Sequence, residues 1–530
     1  MLGLVCSLSS KEKIEASKLR YVISLVQREP VLSEDLLELS RWMTSYYACS
    51  MESVLEAMIP AVVREGKNPK TKRLIKVASG INQELIEKKL NRSPKQKVLF
   101  EFLQKLRQPT ERKKVLLELG LGEQVVRSLV DKNLIEEIAE IVDRSAYDDD
   151  FDDDLETVES EIKLTQEQDL AVEACRKLLR DKKFSVSLLQ GVTGSGKTEV
   201  YFQAMEEALN QGGSVLFLVP EISLAPQTVS RLRNRFGRRG ENIVVWHSHL
   251  SGGERLDAWR NLANGKSRIV VGARSAIFAP MRSLRLIVVD EEHELSYKQE
   301  ESPRYQGRDV AVYRAMLNQA VCILGSATPS LETLRNVELR KYQKCTLTKR
   351  IDGRPLPLVH LVDMRREVQK EKNFPIFSQT LIEAIRQRYA DREQSILFLN
   401  RRGFNTTMLC TECGNVELCK GCSIALTFHR TDGYLRCHLC GYRKKAPQIC
   451  SSCKSIHVYK KGHGTQRIED VVSALMPNRA KVRRVDADMM VKKNLFRETL
   501  QDFRKGKIDV LVGTQMLSLI HISEPTRPLY

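Results

Sequence analysis

The chain has 530 residues, of which 42% are hydrophobic and 29% charged, with a formal net charge of +18. This balance excludes a disordered chain, allows about three or four domains by ordinary domain length, and contains no run of about 18 apolar residues that would span a membrane. The cation excess points to a polyanionic partner, nucleic acid first, although a solvated basic surface would look the same on charge alone.

Residues 1–90 read as helical, with Ser33 to Met58 strongly periodic. Met1 to Ser10 lacks the basic leader and cleavage pattern of a signal peptide. Residues 92–145 alternate short amphipathic helices with turns. Glu123 to Leu134 is a candidate recognition-type helix and Ile135 to Val142 a candidate wing, so a winged-helix module or a plain helical spacer is expected here. The acidic run Asp148 to Asp154 reads as a solvated linker; it lacks the glycine and terminal glutamate of a calcium loop.

Leu164-Thr165-Gln166-Glu167-Gln168 opens a helix, and the amide of Gln168 is a candidate reader of an adenine edge. A strand-like run, Phe184 to Gln190, then delivers Gly191-Val192-Thr193-Gly194-Ser195-Gly196-Lys197-Thr198, followed by a helix-like run from Glu199 to Leu209. This is the phosphate-cradling pattern in its strand–loop–helix context. Glycines let backbone N–H groups close on phosphate oxygens, and the helix N-terminus adds partial positive charge. Lys197 is expected to reach the β- and γ-phosphates of ATP, and Thr198 to hold Mg²⁺.

Strand and helix then alternate, as a parallel α/β sheet requires. Ser214 to Val219 is a buried strand ending at Pro220-Glu221-Ile222, and Arg268 to Val271 ends at Gly272-Ala273-Arg274-Ser275, whose Arg274 and Ser275 are candidates to grip the backbone phosphates of a nucleic acid. Leu284 to Val289 delivers Asp290-Glu291-Glu292-His293. A carboxylate at a strand end beside a phosphate loop suits Mg²⁺, so Asp290 is assigned to the metal and Glu291 to the attacking water. Val321 to Leu324 ends at Gly325-Ser326-Ala327-Thr328, where the hydroxyls of Ser326 and Thr328 are placed to sense the γ-phosphate.

GVTGSGKT, DEEH and GSATPS together resemble superfamily 2 helicases. LVPEISLAPQ, WHSHLSGGERLDAWR, DEEHELSYKQ and GSATPSLET more narrowly resemble the bacterial primosomal protein N′ (PriA) family of replication-restart helicases, over about Leu164 to Met516. The resemblance implies an ATP-dependent 3′→5′ DNA helicase acting at stalled or recombination-derived forks and initiating primosome assembly. Forked and single-stranded DNA, single-stranded DNA-binding protein and other primosome components are its implied partners, with a monomer in the bacterial cytoplasm at the nucleoid. It also implies an aromatic loop after DEEH that couples DNA to hydrolysis. Tyr297, Lys298, Arg304 and Tyr305 occupy that loop, where rings would stack on bases and cations hold phosphates.

In the second lobe, Ser395 to Leu399 is a strand followed by Asn400-Arg401-Arg402-Gly403. Eight of the 13 cysteines then fall in four C-x-x-C pairs: Cys410/Cys413, Cys419/Cys422, Cys437/Cys440 and Cys450/Cys453. Two pairs close one tetrahedron, so two structural Zn²⁺ are expected, with no open position for metal catalysis. The Cys422-to-Cys437 separation is near that of a zinc ribbon, which leaves Cys410, Cys413, Cys450 and Cys453 for an outer site; the family has the same nested pairing. Val482 to Asp486 and Ile508 to Val512 are further strands, the second leading into Gly513-Thr514-Gln515-Met516.

The resulting fold class is α/β: two RecA-like parallel-sheet helicase lobes, a zinc-binding insertion in the second, and a helical or winged-helix N-terminal region. The expected divisions are 1–90, a remnant of the family's 3′-end DNA-binding domain with a helical connector; 91–145, winged-helix-like; 146–160, acidic linker; 161–345, first lobe; 346–409, start of the second lobe; 410–453, zinc insertion; 454–516, incomplete second lobe; and 517–530, a non-native tail. That tail, from Leu517 to Tyr530, resembles the translation of a sequencing adaptor. The resemblance then implies that sequence is missing at both ends, including the second-lobe arginine that completes the ATP site, and that this chain hydrolyses ATP weakly or not at all. A double-strand translocase with the same lobes, or a non-catalytic zinc-ribbon DNA-binding protein, are the alternative readings.

Overall fold

The computed structural model describes residues 30–78, 89–141 and 163–513, together with Val5, Val22, Ser24 and Leu25, apart from short stretches at 91–92, 107, 221–225, 248–249, 354, 356, 365, 368–375, 400–405, 411, 430–432, 438–439, 460–464, 478 and 486–492. The acidic run, Glu221-Ile222, Arg401-Arg402, Thr514 to Met516 and the tail 517–530 lie outside the described residues. The chain divides into two compact units, 1–353 and 354–530.

Among the described residues of the first unit, three helices come first: α1 (Glu34–Tyr46), α2 (Met51–Met58) and α3 (Ala61–Arg64). The stretch read as helical to residue 90 also holds a strand, β1 (Thr71–Val77). It is followed by α4 (Pro94–Leu106), β2 (Thr110–Glu111), α5 (Arg112–Glu118), α6 (Glu123–Asp131) and β3 (Ile135–Ile141). β1 pairs antiparallel along its length with β3, from Thr71 opposite Ile141 to Val77 opposite Ile135. The small three-stranded sheet β2-β1-β3 therefore draws its centre strand from before residue 91. Its core joins Ile75 to Leu99, Phe100, Leu103, Val126 and Leu129 of the helices.

The large parallel sheet is built from β4 (Ser185–Gly191), β5 (Ser214–Leu218), β6 (Ile243–Trp246), β7 (Ile269–Gly272), β8 (Leu284–Val289), β9 (Val321–Ser326) and β10 (Gln343–Leu347). All neighbours are parallel, in the order β10-β4-β9-β8-β5-β7-β6. Successive residues of a strand face opposite sides, and the two cores follow that alternation. Val215, Phe217, Leu286 and Val288 pack with helices α7 (Gln166–Asp181) and α8 (Lys197–Asn210) on one side. Leu216, Leu218, Ile287 and Val289 pack on the other side with α10 (Gly252–Ala263) and α11 (Gly307–Leu317), a layer that α1 to α3 extend; between the two sets, α9 (Pro226–Phe236) joins the first side.

The junction of α1 with α11 is polar at its centre. Arg314 is fully buried, and its Nε and Nη2 each lie 3.0 Å from Asp35 Oδ2. Asn318 donates to the same oxygen at 3.1 Å. Burial pushes the Asp35 carboxyl up, but Arg314 and hydrogen bonds from Ser33 and Asn318 more than offset this and hold it below the usual range.

The second unit carries its own parallel sheet, in the order β11-β19-β18, from β11 (Ser395–Phe398), β18 (Val482–Val485) and β19 (Val510–Gly513). Val510 and Val512 face a core with Ile385, Ile468 and Val472, while Leu511 faces Val485, Phe503 and Ile508. Between β11 and β18 the chain makes an antiparallel sheet, β12-β14-β15-β16, from Thr406–Thr407, Thr427–His429, Tyr434–Arg436 and Arg443–Lys445. A two-stranded pair, β13 (Leu409–Cys410) with β17 (Val458–Tyr459), closes the base of this insertion. These are the two parallel-sheet lobes, with the cysteine-rich insertion in the second, that the sequence implies.

Candidate nucleotide site and zinc centres

β4, β9 and β8 are adjacent, so their carboxyl ends set the loop 191–198, the segment 325–329 and the segment 290–293 side by side. Ligands gather at this edge of a parallel sheet. The loop needs its glycines. Gly194 and Gly196 have φ of 78° and 79°, in the left-handed region that disfavours side chains. A Cβ on Gly196 would come within 2.1 Å of Gln168 Nε2, and one on Gly191 within 2.5 Å of Ser195 Oγ. The Ser195 hydroxyl is buried, with no hydrogen-bond partner among the described residues. An orphaned buried donor between two required glycines, at the N-terminus of the 14-residue α8, fits a phosphate group.

Lys197 and the carboxylates meet here. The Lys197 ammonium donates to the Gly191 carbonyl at 3.0 Å and lies 3.6 Å from Glu291 Oε1, both side chains being 10% exposed. Asp290 Oδ1 accepts from the Tyr201 hydroxyl at 3.0 Å and from the Glu291 N–H at 3.1 Å. Burial and the neighbouring Glu291 push the Asp290 carboxyl up to about 6, against the pull of Lys197. Glu291 has φ of 45°, a strained value for a residue with a side chain. Thr198 follows in the first turn of α8.

A polar chain links this corner to the next strand. His293 Nδ1 lies 2.7 Å from Ser326 Oγ and 3.5 Å from Glu291 Oε2, and Ser326 Oγ accepts from the Thr328 N–H at 3.0 Å. His293, to which the sequence reading gave no role, thus bridges Glu291 and the 325–329 segment. Its neighbour Glu292 is fully buried and accepts from Ser330, Thr333 and Arg308, a structural anchor. Arg350 also went unnoticed: its Nε donates to the Thr193 carbonyl at 3.0 Å, and the Ile351 N–H to Gly194 at 3.0 Å. A single arginine outside any motif gives no signal in sequence.

Several residues expected to touch nucleotide or DNA make internal contacts in this structure. The Gln168 amide is buried and committed at both ends: its oxygen accepts from the Thr165 N–H at 2.8 Å and its nitrogen donates to Ser195 O at 3.0 Å. It ties the cap of α7 to the phosphate loop instead of standing free toward a base. Tyr297 and Tyr305 are not surface rings. They are 0% and 3% exposed, part of the core beneath their loop, and the Tyr297 hydroxyl donates to the Asp290 carbonyl at 2.7 Å. Arg274 donates to the carbonyls of Ser296 and Lys298 and sits 5.7 Å from the Tyr305 ring centre, so it braces the loop from within; Ser275 follows it, half-buried. Lys298 and Arg304 are exposed, and the Lys298 ammonium donates to the Arg304 carbonyl at 2.8 Å.

The eight insertion cysteines form two groups, Cys410, Cys413, Cys450 and Cys453, and Cys419, Cys422, Cys437 and Cys440, with the sulfurs of each within 4.8 Å of one another. The nested pairing follows from the strands, since β13 and β17 bring the outer pairs together. All four pairs make the same turn. The N–H of residues 414, 423, 441 and 454 donates to the carbonyl of the cysteine four positions before, and Gly414, Ser423, Gly441 and Lys454 all have positive φ. Sulfur separations of 3.5 Å (Cys410–Cys453, Cys419–Cys440) and 3.6 Å (Cys413–Cys450) are too long for a disulfide. They approach the edge of about 3.8 Å expected for a thiolate tetrahedron with Zn–S of about 2.3 Å. The donor set and spacing fit zinc at both sites.

Comparison with known proteins agrees with this geometry. Residues 165–337 match the DEAD/DEAH box helicase model, residues 1–60 the 3′ DNA-binding domain of PriA, and residues 419–445 the Cys-rich region of the PriA DNA helicase. The replication restart protein PriA of Bacillus subtilis is 35% identical, across 97% of this chain and 71% of that protein. That of Chlamydia muridarum is 38% identical, across 92% and 64%, and that of Synechocystis sp. 43%, across 65% and 42%. The chain thus spans about two thirds of the length of the relatives it follows most fully. Joined to the phosphate loop and the paired cysteine clusters, this similarity makes the chain a member of the PriA family of replication restart helicases.

Proposed function

We propose that the chain carries the motor of an ATP-dependent DNA helicase that moves 3′→5′, acts at stalled or recombination-derived replication forks and starts primosome assembly. The observation that carries this reading is the approach of Lys197 to Glu291, 3.6 Å apart beside Asp290, at the mouth of a glycine loop. In it, Lys197 binds the β- and γ-phosphates of ATP, Thr198 and Asp290 hold Mg²⁺, and Glu291 orients the attacking water. Magnesium, when bound, supplies charge neutralisation to the phosphates. The chain Glu291–His293–Ser326 gives the γ-phosphate side a mechanical link to the 325–329 segment and so to bound strand. Single-stranded and forked DNA is the substrate. Single-stranded DNA-binding protein and primosome components are the partners, and a monomer in the bacterial cytoplasm is the working form.

The test begins with titration of a fluorescent ATP analogue with Mg²⁺. Lys197→Ala is expected to weaken binding roughly 10- to 100-fold, as loss of charge-assisted hydrogen bonds does. Equal affinity would remove the nucleotide assignment. Strand displacement on forked duplexes with a 3′ or a 5′ single-stranded tail then sets direction. Displacement favouring the 5′ tail would overturn the polarity, and nucleotide-independent DNA binding alone would leave only a zinc-ribbon binding protein.

A further inference from the structure

The rings assigned from sequence to stack on DNA are buried, yet an aromatic surface does stand at the same loop, supplied by α1. Trp42 stacks on Tyr313 of α11, with centroids 4.0 Å apart and planes 9° from parallel. Tyr46, in the last turn of α1, stacks on Trp42 at 4.8 Å and 22° while remaining 62% exposed. Tyr47 closes the group edge-on, 5.8 Å from Trp42 and 5.0 Å from Tyr46. Its hydroxyl oxygen accepts from the Gln306 N–H at 3.2 Å, and the Lys298 ammonium lies 5.9 Å from its ring centre. The stack is thus fastened to the loop whose other end, at Tyr297, touches the carbonyl of Asp290.

An isolated exposed tyrosine needs no explanation. This one caps a stack of rings already fixed in place, so a base laid on it meets a surface needing little further ordering. The neighbouring Lys298 is exposed, as is Arg304, and the chain carries a net charge of +18. We propose that Tyr46, backed by Trp42, is a stacking platform for a base of single-stranded DNA, with Lys298 holding an adjacent phosphate. This rests on the DNA-motor reading and names one of its contact points. Because every base has a π-face, such a platform is indifferent to sequence, as a motor running along any strand requires.

The experiment is anisotropy titration of a labelled thymidine oligonucleotide against the full chain, with Trp42 emission followed in parallel; Trp246 and Trp259 are buried and report little of the surface. Tyr46→Ala is expected to weaken binding roughly 5- to 100-fold with an unchanged melting temperature, and Tyr46→Phe, which keeps the ring, to bind as the parent does. Lys298→Ala is expected to lower the salt dependence by about one phosphate contact. Oligonucleotide should quench Trp42 in the parent. Parent-like affinity of Tyr46→Ala, or equal loss in Tyr46→Phe, would overturn the platform while leaving the motor reading intact. Failure of the parent itself to bind any single strand would overturn both.

Discussion

In the motor sheet, β5 is buried at every position, and β8 at every position but Arg285. In the cysteine-rich insertion, Met408, Cys419, Leu426, Leu435 and Cys437 form the buried cluster and Cys410 and Cys450 are also buried, so four of these seven are themselves zinc-ligand candidates. The sheet can hold its loops still by apolar burial on both faces, at about 1.5–3 kcal/mol for each fully buried large side chain. The insertion has no such reserve and must take its order from metal–sulfur bonds. The lesson is that the same chain fixes one functional edge by packing and another by coordination, and that the two should fail under different conditions.

The largest effect expected is from metal removal. Structural zinc in small modules is worth about 10–16 kcal/mol of folding free energy, so chelation or Cys437→Ser should unfold the insertion. Metal analysis should fall toward one zinc per chain for Cys437→Ser, with protease cleavage confined to about residues 410–453. The melting of the first unit should not move. A concerted loss of both would erase the contrast between packing and coordination.

A smaller effect is expected where the packed unit contains charge. Asp35→Ala leaves Arg314 buried and uncompensated, which typically costs about 3–5 kcal/mol; chemical denaturation should show it. The pH dependence has a definite sign. A carboxyl held below its unfolded value contributes stability that is present above the unfolded pKa of about 3.9 and lost as pH falls through the folded value. The parent should lose this increment in acid below about pH 4, and Asp35→Ala should not. An equal acid slope in both would show that the pair does not fasten α1 to α11.

Gly325→Ala gives the smallest change in stability, about 1–3 kcal/mol from overpacking. A Cβ there would come within 1.6 Å of the Tyr201 hydroxyl, the group that donates to Asp290. Mg²⁺-dependent nucleotide binding should weaken beyond what the melting temperature accounts for. Parent-like binding would show that Tyr201 does not position the carboxylate.

Much of the strand order along the chain was legible because central parallel strands are continuous apolar runs. Leu284 to Val289 and Ser214 to Leu218 declare themselves. The edge strand Gln343–Leu347 did not, since Gln343, Lys344 and Thr346 are exposed and only Leu347 is buried. β1, Thr71–Val77, escaped notice for a similar reason, since three of its first four residues are polar or charged and its partners lie about 40 and 65 residues onward.

By itself the sequence determined the phosphate loop, the acidic strand end and the four cysteine pairs, because their chemistry depends on residue types at short fixed spacing, which the chain carries locally. Only the tertiary structure decided which rings face water. Tyr297 and Tyr305 look in sequence like DNA-stacking residues, and the packing of α1 and α11 encloses them while leaving Tyr46 outside. Burial is a property of what lies across the sheet, not of the loop's own residues, and so is the Gln168 amide's commitment to Ser195, 27 positions away.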